Sequence, residues 1–180
     1  PGENWGDDPD VGDVEYVHSA TFQYAHGGRL IVGLPSGDTG IFSALVSTLT
    51  PPYILLYVLH TDRGQGETGR YDSPELSAGQ FDDFINAYGP YLTGDGRFDL
   101  WARSHADDAT IVWDRHNLIH AYGPVDRFRA ILDAHGFSEG EVSAMGPHVH
   151  HYRPELDGYA QAILGEYQWR YTPLRPEDEQ

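Results

Sequence analysis

Apolar positions along this chain fall into two alternating periods. Over 15–25 the residues Tyr16, His18, Ala20, Phe22 and Tyr24 share one side while Val17, Ser19 and Thr21 take the other. This period of two is the pattern of a strand. The tetrapeptide HGGR, 26–29, reads as a hairpin turn, and LIVGL returns as a second strand. The spacing then changes to that of a helix: Ile41, Phe42, Leu45, Val46 and Leu49 form one stripe, Asp38 stands where a cap belongs, and Pro51–Pro52 closes the segment. YILLYVL, 53–59, has no polar alternation, so both of its faces should be covered, which predicts the most central strand. Residues 61–74, with Gly64, Gly66 and Gly69, read as a long loop.

A second helix is predicted from the capping-box pair Ser77 and Gln80. It carries Phe81, Phe84, Ile85 and Tyr88 on one face and should stop at Gly89–Pro90. Three short strands follow at 97–103, 109–114 and 117–122, joined by SHADD and DRHN, connections that allow only antiparallel pairing. A third helix begins at Pro124, buries Val125, Phe128, Ile131 and Leu132, and ends at Gly136 with Phe137 folding back. Residues 147–152 read as a strand and 155–168 as a fourth helical stretch. The sum is an α+β fold: a mostly antiparallel sheet with three to four helices segregated to one side. Residues 15–172 are expected to form a single domain, flanked by a flexible acidic arm at 1–14 and a frayed acidic tail at 173–180.

Composition narrows the function classes. At 180 residues and 39% hydrophobic the chain can bury a sizeable core. No stretch is apolar over the roughly 20 residues of a membrane helix, and no cationic-then-apolar leader is visible, so a cytoplasmic protein without membrane contact is expected. Cysteine is absent, which removes thiol catalysis and thiolate metal sites. The net charge is −17, from 28 acids against 11 bases, all arginine. Such a surface repels phosphate backbones, so nucleic acid is not an expected partner; a protein partner or a small anionic ligand is.

Two clusters carry candidate chemistry. In GPHVHHYRPELD, 146–157, His148 and His150 alternate along the expected strand and so project from one face roughly 7 Å apart, while His151 faces away. That bite suits Zn²⁺ or another divalent metal, with Glu155, His120 or His116 as further ligands. The spacing His148-x-His150-x4-Glu155 resembles the first half of the cupin metal motif over those eight residues. The flanking glycines are misplaced, a second half is not found and the predicted helices do not suit a barrel, so only the His-x-His geometry is retained. The second cluster is the 61–74 loop, where Arg63 and Arg70 could clamp an anion, alongside His116 of the DRHN turn.

Weaker patterns are a strand–glycine loop–helix order over 29–45, spaced GxxxGxxG rather than as a dinucleotide site requires, and the Asp114–His116 pair with Ser104 or Ser143 as nucleophile, without a G-x-S-x-G elbow. The expected function is a non-catalytic binding or interaction module. The alternative is a metal-dependent enzyme, a hydrolase, built on His148 and His150.

Overall fold

A computed structural model describes residues 18–142 and 152–179. The 1–14 arm, His148, His150 and His151, and nearly all of the expected 147–152 strand lie outside those residues.

The described residues form one nine-stranded sheet. Its strands are β1 Thr21–Ala25, β2 Arg29–Gly33, β3 Tyr53–Leu59, β4 Gly69–Asp72, β5 Phe98–Ser104, β6 Ala109–Trp113, β7 Leu118–Tyr122, β8 Ser138–Glu139 and β9 Arg170–Thr172, in the order β8-β1-β2-β7-β6-β5-β3-β4-β9. Every pairing is antiparallel except the short β1–β8 contact. Four helices, α1 Thr39–Val46, α2 Ala78–Gly94, α3 Val125–Ala134 and α4 Asp157–Glu166, send their buried side chains into one cluster with Phe22, Leu30, Tyr57, Leu100, Ile111 and Ile119. These residues alternate along their strands, so the helices all cover the same face.

Local chemistry explains most boundaries. Asp38 Oδ1 accepts from Gly40 N at 2.7 Å at the start of α1. At α2, Ser77 and Gln80 form the reciprocal capping box that the sequence predicts. Gly136 takes φ 81° after α3, the left-handed conformation glycine adopts without cost, and Phe137 N then reaches back to Leu132 O.

Four segments differ from expectation. α2 runs through Pro90 to Gly94, because Tyr91 and Leu92 beyond it are buried and hold the last turn against the core. The 61–74 loop contains β4, whose Tyr71 supplies a buried ring while Gly69, Arg70 and Asp72 hide the strand from a pattern search. β3 is third from the sheet's edge, not central. Its second face is still covered, since Arg70 lies opposite Val58 in register and pairs with Asp178. That aspartate belongs to a 3-10 turn at Pro176–Glu179, within the stretch expected to fray, and it is buried. Among the described residues no helix is long and apolar enough to cross a membrane.

Candidate ligand-binding face

The strand register fixes what stands on the face that the helices leave. One row across it reads Gln23, Ile31, His120, Val112, Trp101, Leu56 and Asp72. The next row toward the β1–β2 turn reads Ala25, Arg29, Tyr122, Thr110, Arg103 and Ile54. Leu56, Val58 and Val112 are buried here, outside the helix-facing cluster.

Buried polar atoms are nearly always hydrogen-bonded, so exceptions mark places to explain. Among the described residues the buried side-chain atoms without a partner are Arg29 Nε, Trp101 Nε1, His120 Nδ1 and Trp113 Nε1. The first three all stand on this face, while Trp113 points to the helices.

Toward the opposite end, imidazoles are held by carboxylates. His60 Nε2 donates to Asp99 Oδ2 at 2.8 Å, and Asp99 Oδ1 accepts from Arg115 N at 2.9 Å. Asp114 is the hub of the β6–β7 turn: its Oδ1 accepts from His116 N at 2.8 Å and from Leu118 N at 3.0 Å. Its Oδ2 stands 3.4 Å from His120 Nε2 and 3.7 Å from His116 Nδ1. Burial alone would raise the Asp114 carboxyl, but the hydrogen bonds from His116, His120 and Leu118 outweigh it and hold the group well below the usual carboxylate range. With Nε2–H turned to Asp114, a neutral His120 presents Nδ1 as a bare acceptor. His18 Nε2 lies 3.0 Å from His116 O.

Of the residues singled out from sequence, His116 and His120 come together at Asp114, and the others are dispersed. Arg63 Nε sits 3.3 Å from Asp157 Oδ1, on a loop closed by Asp62 Oδ1 accepting from Gly64, Gln65 and Gly66 N–H. Arg70 is buried against Asp178 with its guanidinium 5.3 Å over the Trp101 ring. Glu155 is exposed on a 3-10 turn beside α2, whereas His120 belongs to the helix-free face. Ser104 is fully buried and donates to Thr50 O at 2.6 Å, a structural use of its hydroxyl. The 29–45 segment forms β2 and α1, but β2 pairs with β1 and β7 rather than β3, so no parallel nucleotide-binding unit arises. Among the described residues no three His, Cys, Asp or Glu side chains are grouped to hold a metal ion.

Sequence reasoning did not single out Arg29, Trp101 or the His60–Asp99 pair. A signal existed in FDLWARS, where Asp99, Trp101 and Arg103 alternate with the core residues Phe98, Leu100 and Ala102. Comparison with family models, with curated proteins and with solved structures gives no match in any of the three.

Proposed function

We propose that the protein is a non-catalytic binding module whose ligand lies on the helix-free face of the sheet. What supports this reading is the collection of partnerless buried polar atoms there: Arg29 Nε, Trp101 Nε1 and His120 Nδ1, set in rows by the register. Two of the three are donors, which calls for an oxygen-rich ligand, and Ile31 and Val112 beside His120 give it apolar contact. The test is an NMR screen of small oxygen-rich compounds read at the tryptophan indole N–H signals. A ligand should move Trp101 and leave Trp113, on the helix side, in place. Hits that move Trp113 alone, or that the protein converts chemically, overturn the proposal.

A metal-dependent hydrolase using His148 and His150 is the second reading. His120 favours it, because a carboxylate behind one imidazole nitrogen and a free lone pair on the other is how metal-binding histidines are oriented. Here Zn²⁺ at about one equivalent should raise the melting temperature. His150→Ala should abolish the effect and His151→Ala should not. Equal losses from both sink this reading.

A further inference from the structure

Under the β1–β2 hairpin lies a concavity of about 550 Å³ lined by Gln23, Tyr24, Ala25, His26 and Arg29. We infer that this concavity is the subsite for an oxyanion, a carboxylate or phosphate group of the ligand, held on the Arg29 guanidinium. The inference rests on the helix-free face being the binding surface.

Charge accounting leads there. Arg63, Arg70, Arg97, Arg127, Arg129 and Arg170 each face a carboxylate of the chain. Arg29 does not. Its Nη1 donates to Tyr122 Oη at 2.8 Å, its guanidinium carbon lies 5.3 Å from the Tyr122 ring centre, and its Nε has no acceptor. A partly buried guanidinium offers five N–H donors and keeps its charge, so an unmatched one is costly unless an anion completes it. The chain has 28 acids from which a partner could have come. Yet the register gives Arg29 only Ala25, Tyr122 and Thr110 as row neighbours before the exposed Arg103. That row carries no carboxylate, and its other cation, Arg103, stands three strands away, so Arg29 is the one charge the row brings to the concavity.

The other walls fit the same chemistry. Gln23 Oε1 accepts from Val142 N at 2.8 Å, which turns the amide N–H₂ away from that contact and leaves it to donate. His26 is exposed beside Gly27 and Gly28, whose positive φ values make the tight turn, and it lines the concavity.

The experiment follows the Arg29 Nε–H signal of the full chain during titration with inorganic phosphate and, separately, with acetate, each against chloride at fixed ionic strength. A saturable shift with phosphate alone assigns a phosphate ester, and one with acetate alone assigns a carboxylate; either supports the inference. Arg29→Met should weaken that binding about tenfold or more, Arg29→Lys should weaken it partly, and the exposed Arg175→Met should leave it unchanged. Shifts that track chloride without saturating, or an Arg29→Met chain that binds as well as the parent, overturn it. The indole screen separates the two proposals: Trp101 responding to ligands while Arg29 stays silent removes the oxyanion subsite and leaves the binding face.

Discussion

Arg97 is fully buried, and its neighbours define what its removal should cost. Nε and Nη2 donate to the two oxygens of Asp95, each at 2.7 Å, while Nη1 donates to Asp157 Oδ1 at 2.8 Å and to Gln65 Oε1 at 3.2 Å. The Asp95 side chain has no exposure, whereas that of Asp157 keeps 28%. Arg97→Met fills nearly the same length but leaves Asp95 ionised and buried, with only the N–H groups of Arg97 and Arg153 to satisfy it. Stranding a buried charge costs about 3–5 kcal/mol. For a chain of this size that lowers Tm by about 6–20 °C. Asp95→Asn should approach the same loss, because it strips the arginine of its two-pronged partner. Asp157→Asn should cost far less, since water reaches that carboxylate. Arg97→Met combined with Asp95→Leu should cost clearly less than the two single changes added together, because the stranded charge is gone. Urea unfolding followed by tryptophan fluorescence measures these four and the Asp95→Leu single change that the comparison requires. An Arg97→Met loss below about 1 kcal/mol, or equal losses from Asp95→Asn and Asp157→Asn, would refute the reasoning.

Three further outcomes are expected. Asp114 has a folded pKa held below its unfolded value, so its stabilisation is fully present above the ordinary carboxylate range and is lost as pH falls through the folded value. The stability gap between the parent and Asp114→Asn should therefore be wide near neutrality and shrink in acid; urea melts across pH check this, and a gap that grows in acid contradicts it. Pro90 is exposed inside α2, so Pro90→Ala restores a helix hydrogen bond and should stabilise by about 1–3 kcal/mol, with a lower Tm as the contrary result. Gly123 has φ 129° and a Cβ there would stand 2.6 Å from the Ala109 Cβ, so Gly123→Ala should destabilise by about 1–3 kcal/mol, read by the same unfolding assay.

Where a segment buries one face, its pattern was legible. Phe81, Phe84, Ile85 and Tyr88 lie where their helical spacing puts them, and β5, β6 and β7 fall within about a residue of expectation. Patterns failed where few residues carry the burial. β4 has one core side chain, Tyr71, among glycine and charges, and the edge strands β8 and β9 are too short to show a period. The candidate face was legible only by halves. Alternation reveals which side of a strand a residue takes, but the alignment of Arg29 with Tyr122 and Arg103 depends on pairings between segments up to 93 residues apart. Arg63 and Arg70 looked available for the related reason that Asp157 and Asp178, their partners, are distant in sequence.

The two stubs at the margins of the sheet bear on how the molecule lives among copies of itself. A nine-stranded sheet with long open borders would offer rows of unpaired N–H and C=O groups on which another chain could grow. Among the described residues one border is two residues, exposed Ser138 and Glu139, and the other is three, led by Arg170, whose guanidinium reaches across to Asp72. A strand arriving from solution finds too few rungs to grip, and a charge on either side of the sheet to displace. The borders that the described strands form are therefore poor templates for the growth of a fibre, wide as the sheet is.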